Sequence, residues 1–224
     1  MYHQRLLLGV VTFVGLTSAV RSEPPVCHVA PAAQTQLRVS RHVGQLLPRR
    51  ILIVTGKNLQ DRLREQTLFA EALADHLRRS AFQVIVSQDC LCKHRWPLSL
   101  GRFDEREVLR AAKEHRADTI LYAEVSSIEA YDPMRVQGSI LLVNVDEAVS
   151  VLSETSTVDL QRGAAKRAFL AFARGAEQDS FGETFLHSPA KLIDFTAREM
   201  ARTLLQTWTE PPTDNSDPSG GTLR

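Results

Sequence analysis

The sequence predicts an α/β protein: a single three-layer domain with a mixed sheet of about five strands, ordered βαβαβ and then a β-hairpin and a C-terminal helix. Three observations predict it. Continuous apolar runs, "ILIV" (51–54), "FQVIV" (82–86) and the core of "ADTILYAEV" (117–125), read as strands buried on both faces. Stretches with helical spacing separate them. Beyond residue 135 the period becomes that of extended chain.

In chain order, Arg5 precedes an apolar run over 6–14, then small Thr17-Ser18-Ala19 and polar Arg21-Ser22-Glu23. This is the pattern of a secretory signal peptide over 1–22, cleaved after Ala19 or Ser22. The run is short against the roughly 20 apolar residues that span a bilayer, and an uncleaved anchor is the alternative. Cys27 follows Glu23-Pro24-Pro25-Val26 rather than a run of small residues, so no lipid anchor is expected on it. Residues 23–47, rich in proline and polar side chains, read as a loose lead-in to a domain over 48–209. The tail 210–224, "EPPTDNSDPSGGTLR", reads as disordered.

Within the domain, Phe69, Ala72, Leu73, His76 and Leu77 recur at helical spacing and predict an amphipathic helix over 61–80 between the first two strands. Asp104 as N-cap, Glu107 as its capping-box partner and Val108, Leu109 and Ala112 along one face predict a second helix. Extended segments over 135–145 and 149–160, joined at Asp146-Glu147-Ala148, predict an antiparallel hairpin. Residues 161–187 are ambiguous, with a short helix expected at 163–173. Ser188-Pro189 opens a last helix over 189–208, carrying Leu192, Ile193, Phe195, Ala197, Met200, Leu204 and Leu205.

The stretch "ILIVTGKNLQDRLREQT" (51–67) has the outline of a strand feeding a phosphate-binding loop. A Walker-type loop needs two glycines around four residues, then Lys and a hydroxyl. Here Gly56 alone precedes Lys57, and Asn58 stands where the hydroxyl belongs. A plain strand-to-helix turn capped by Asn58 or Asp61 fits better. A Rossmann glycine pattern is absent as well. Net charge is +1 with Lys and Arg spread along the chain, which excludes the electrostatic footprint of a nucleic-acid binder.

The order of elements, the helix "FAEALADHLRRSAFQVIV" with its short step into the second strand, "HRADTILYAEV" with Ala117-Asp118 introducing the third, and the hairpin "LLVNVDEAVSVLSET" with Asp146 at its turn together resemble bacterial periplasmic domains of the TolB N-terminal, LpoB and CsgG type. The resemblance spans about residues 50–208. The hairpin turn lacks the glycine usual in those families, and their lipid-attachment cysteine is not recognisable. The resemblance implies a non-catalytic, exported envelope module, periplasmic or secreted, that binds another envelope protein or assembles with copies of itself, without a cofactor. No stretch alternates over enough residues for the long transmembrane hairpins of CsgG-like pores.

"DCLCKHRW" (89–96) is the most chemically loaded stretch. Cys90, Cys92 and His94, with Cys27-His28, could ligate zinc, but Cys-x-Cys suits a tetrahedral site poorly. In an oxidising compartment a disulfide from Cys27 to Cys90 or Cys92 is favoured, with unbonded thiols and metal or redox chemistry as alternatives. Asp104, Glu105 and Glu107 read as helix-start acids rather than an acid–base pair, and His76 as a core histidine. His115 and His187 fall at helix ends and carry no special signal, and Ser153, Ser180 and Ser188 lack a nucleophile elbow. Tyr131, Pro133 and Met134, in the connection between third strand and hairpin, are the candidates for a partner-binding surface, in competition with the Phe-rich segment 169–185. The rival reading is an enzyme whose site lies at the strand carboxyl ends, near Thr55-Gly56-Lys57 and Ser87-Gln88-Asp89.

Overall fold

A computed structural model of the chain describes residues 32–40, 48–55, 63–80, 82–87, 105–131, 133–147, 149–176 and 187–209. Within them a six-stranded mixed sheet carries four helices. The strands are β1 (Gln34–Val39), β2 (Arg50–Thr55), β3 (Gln83–Val86), β4 (Thr119–Glu129), β5 (Arg135–Asn144) and β6 (Val149–Asp159). The helices are α1 (Leu63–Arg78), α2 (Glu105–His115), α3 (Gly163–Ala176) and α4 (Pro189–Thr209). The sheet order is β1-β6-β5-β4-β2-β3, parallel among β3, β2 and β4 and antiparallel from β4 to β1.

Burial divides the sheet residues by their alternation. Ile51, Ile53, Leu121, Ala123, Val136, Ile140 and Leu142 face α1 and α4, meeting Phe69, Leu73, Phe195 and Met200 in the larger core. Leu52, Val54, Ile120, Tyr122, Leu141 and Val143 face the other way, onto Ala111 and Ala112 of α2. Gly138 in β5 is where the helices come closest: a Cβ there would stand 2.9 Å from Met200 Sδ and 3.0 Å from Phe69 Cζ. A side chain at this position would force the Met200 and Phe69 side chains to move.

Two expectations are corrected and one, the short helix expected at 163–173, is present and extended. The sheet has six strands rather than about five, because β1 lies inside the segment read as a loose lead-in. Its sequence, "QTQLRV", is too polar to signal a strand by itself, and β6 supplies the ladder that makes it one. The stretch "SSIE" (126–129), read as connection, continues β4 and pairs with β5, so β4, β5 and β6 form an antiparallel meander. The ambiguous region contains α3 through residue 176, which packs Phe169 edge-on to Phe195 of α4 at 5.6 Å between ring centroids.

Side chains and backbone ends fix the joints. Ser188 Oγ accepts the Lys191 N–H at 3.4 Å, capping α4 as expected. Arg116, with φ 51°, ends α2 in a left-handed conformation, and bonds from Arg116 N–H to Lys113 O and Ala117 N–H to Ala112 O close a Schellman motif. The adjacent Asp118 carboxylate accepts the N–H groups of Arg49 (3.0 Å) and Arg50 (3.2 Å), clamping the start of β4 to the start of β2. Asn144 Oδ1 accepts the Asp146 N–H in the turn to β6. His76 Nε2 and Asp194 Oδ1, 3.0 Å apart, tie α1 to α4.

One buried amide decides how far β4 can run. The pairing of β2 with β4 stops at Thr55 and Ala123. Val125, fully buried two residues beyond, turns its N–H and C=O toward the side that β2 has vacated. Gln66 of α1, 2% exposed, takes the place of a strand there: its Nε2 donates to Val125 O and its Oε1 accepts Val125 N–H, both at 2.9 Å. Beside this bond the ladder with β5 shifts by one residue between Val125 and Ser127. Gln66→Leu fills the same space and leaves both backbone groups unpaired, at a cost of about 3 kcal/mol. Urea denaturation checks this; a loss below about 0.5 kcal/mol would mean that the bonds contribute nothing net.

Glu154, 1% exposed in the middle of β6, faces α4 from under β1. Burial pushes its carboxyl up from 4.5 to about 7, against the opposing pull of the Ser156 and Thr203 hydroxyls. Ser156 Oγ donates to Oε1 at 2.7 Å and meets Thr35 Oγ1 of β1 at 2.9 Å. Oε2 is buried without a hydrogen bond of good geometry, which adds to the cost of ionising the carboxyl. Between about pH 4.5 and 7 the unfolded chain releases a proton that the folded chain keeps, so stability falls as pH rises through that window and levels off above it. The fall is about 3 kcal/mol. Glu154→Gln removes this slope, making the variant more stable than the parent at pH 8 and nearly equal to it at pH 4; parallel denaturation curves for the two proteins across that range would contradict the assignment.

Candidate functional site

The antiparallel half of the sheet builds a surface that the parallel half does not. Because β4 outruns β2, its last residues pair with β5 alone, β5 in turn pairs with β6, and the turn from β4 to β5 carries Tyr131. Tyr131 is 91% exposed, by far the most exposed of the large apolar and aromatic side chains among the described residues. Glu129 and Arg135 flank the turn with their charged ends 4.0 Å apart.

Next to this tip, the sheet face opposite α1 and α4 is a field of hydroxyl and amide groups. Cross-strand rows run Gln34, Thr157, Gln137 and then Gln36, Thr155, Ser139 over β1, β6 and β5. Ser139 Oγ and Thr155 Oγ1 are 3.1 Å apart. A shallow depression of about 600 Å³ between Ala33, Gln36, Arg135 and Thr157 lies on this face. Glu124 of β4 stands opposite Ser139, half-buried, and its carboxyl is raised by desolvation. Such a surface can hydrogen-bond to backbone and polar side chains of a partner. Among the described residues no three His, Cys, Asp or Glu side chains gather as metal ligands. No helix among them is long and apolar enough to cross a membrane.

The three expected contact residues do not act together. Tyr131 is at the surface and Pro133 is half-buried, whereas Met134 is 1% exposed inside the larger core. Met134 begins the alternation that continues through Val136, Gly138, Ile140 and Leu142 on the helix side, and its carbonyl accepts the Leu160 N–H at 3.0 Å. It is a core residue, a correction to its reading as a contact. Phe169 is fully buried and Phe172 packs against Phe195, so the front of the competing Phe-rich segment is core as well. Gln66 and the edge strand β1 went unnoticed in the sequence; alternating Gln34, Gln36 and Arg38 was the signal available for β1.

At the strand carboxyl ends, Thr55 is partly exposed and Ser87 is buried, its N–H bonded to Ile53 O at 2.9 Å. Gly56, Lys57, Gln88 and Asp89 lie outside the described residues, as do residues 1–31, Cys27, Cys90, Cys92, His94 and Asp104.

No protein-family model matches the chain, and no curated protein matches it. Solved structures with a similar course of chain include the PelC dodecamer from Paraburkholderia phytofirmans in space group P6, 11% identical over 77% of this chain and 96% of that one, with a TM-score of 0.45. The lipoprotein GNA1162 from Neisseria meningitidis is 13% identical over 60% of this chain and 99% of that one, with a TM-score of 0.36. The hypothetical protein CT253 from Chlamydia trachomatis is 13% identical over 69% of this chain and 95% of that one, also with a TM-score of 0.36. Likenesses of this size assign neither family nor activity to the chain, whose architecture is that of a mixed α/β domain.

Proposed function

We propose that the chain is an exported, non-catalytic accessory module of a bacterial cell envelope, periplasmic or secreted, that binds another envelope protein or assembles with its own copies. The observation that carries this reading is the exposure of Tyr131 on the turn between β4 and β5. An aromatic ring held in water at the end of a paired, rigid hairpin gains nothing for the fold and presents a large contact area at little cost in side-chain entropy. The export pattern at the N-terminus and the resemblance to TolB N-terminal, LpoB and CsgG-type domains support the compartment and the role. The adjoining hydroxyl and amide face suits the polar rim of such a contact.

The test is capture by crosslinking of the tagged, exported protein in its own envelope fraction, followed by mass spectrometry. A different envelope protein is recovered with the parent, and its recovery drops at least about tenfold with Tyr131→Ala, the loss expected of an interface aromatic worth more than 1 kcal/mol. Thermal unfolding of that variant stays unchanged. Equal recovery with parent and variant would overturn the tip as the contact, and turnover of a small-molecule substrate by the purified protein would overturn the non-catalytic reading.

A further inference from the structure

The sheet has two edges, and they are treated differently. On β3 the strand is four residues long, and Arg78 Nε from α1 donates to Val84 O at 3.3 Å. Since Gln83 and Ser87 direct their N–H groups to β2, Val84 turns its carbonyl outward, and Arg78 occupies the acceptor that an incoming strand would use. On β1 no such guard exists among the described residues. The strand has six residues, contains no proline, lysine or bulge, and is exposed over residues 34–38. The Ser40 N–H bonds to Val151 O, so by the antiparallel alternation Thr35, Leu37 and Val39 point their N–H and C=O groups away from β6.

We propose that two copies of the chain pair β1 to β1, antiparallel about a two-fold axis at Leu37, joining their sheets into one. The strand is self-complementary in that register. Outward-facing Leu37 meets Leu37 of the second copy, and Thr35 and Val39 exchange hydrogen bonds with Val39 and Thr35. On the helix side the Leu37 side chains, each 40% exposed in the single copy, cover one another, with Thr opposite Val on either side. On the open side Arg38 stands opposite Gln36, and no charged residue lies directly across from one of like sign. An isologous contact of this kind closes on itself and leaves β3 as the outer edge at both ends of the joined sheet, where Arg78 blocks further addition. This inference rests on the reading of the chain as a binding or self-assembling module and names the second copy as the partner at this edge; the Tyr131 tip remains free for another protein.

The test is sedimentation equilibrium of the exported full chain over a wide concentration range, for the parent, Leu37→Pro, Leu37→Lys and Tyr131→Ala. Proline at 37 removes an N–H that faces outward and spares every bond to β6; lysine places like charges across the axis. The parent sediments at twice the mass of the chain. Both Leu37 variants weaken the dimer at least about tenfold with unchanged thermal unfolding, and Tyr131→Ala leaves it intact. A parent that stays monomeric, or a dimer indifferent to both Leu37 variants, overturns the pairing. A monomeric parent whose capture of an envelope protein is lost with Leu37→Pro overturns the second copy in favour of a different partner strand. If pairing fails while Tyr131-dependent capture persists, only this inference falls.

Discussion

The hydrogen bonds between the Gln66 side chain and the backbone of Val125 are the constraint on which the extension of β4 past β2 depends. A buried strand cannot continue past its neighbour without leaving an N–H and a C=O unsatisfied, each at a cost of about 1–3 kcal/mol. A primary amide is the side chain that offers one donor and one acceptor side by side, so a single residue of α1 can stand in for the missing strand. With Val125 satisfied, β4 runs on to Glu129, pairs with β5 and leads into the turn that exposes Tyr131. The same helix turns Phe69 toward Gly138, so the approach of α1 to the sheet is set from both ends of this contact.

That asymmetry organises the rest. The parallel strands β2 and β4 are covered on both faces, and Arg78 shields the outer edge of β3. Beyond them, β5 and β6 are covered by α4 and α3 on one face, and with the largely exposed β1 they present hydroxyls, amides and Arg38 on the other. Where β1 crosses β6, the helix-facing side holds Glu154, Ser156 and Thr35 in one hydrogen-bonded chain. The outermost strand is therefore linked through Ser156 to a carboxyl that burial holds toward its neutral form, and its ionisation costs the fold stability.

Much of this was legible in the sequence. Continuous apolar runs located β2, β3 and the start of β4, and helical spacing located α1 and α4, because each of these is decided by burial that the residue pattern records. The step Ala117-Asp118 was noticed as a resemblance and has a physical basis here, closing the Schellman end of α2 and clamping the N–H groups of Arg49 and Arg50. What escaped were features that depend on partners distant in the chain. The polar strand β1 exists through its pairing with β6, more than a hundred residues away, and its own composition does not announce it. Gln66 looked like an ordinary helix residue. Met134 looked like a loop residue because its neighbours are polar, yet one step of alternation places it in the core. Of the candidate site, Tyr131 was legible and the amide face around it was not.

Hydrogen exchange of the full chain, read residue by residue at the Val125 amide, shows whether Gln66 holds the extension of β4. The account predicts that Val125 exchanges only with global unfolding, as slowly as the core amides of β2, while the Tyr131 amide two residues past the end of β4 exchanges freely. A Val125 amide that exchanges on the timescale of the Tyr131 turn would show that the extension of β4 opens locally, and that the hairpin is not held by Gln66.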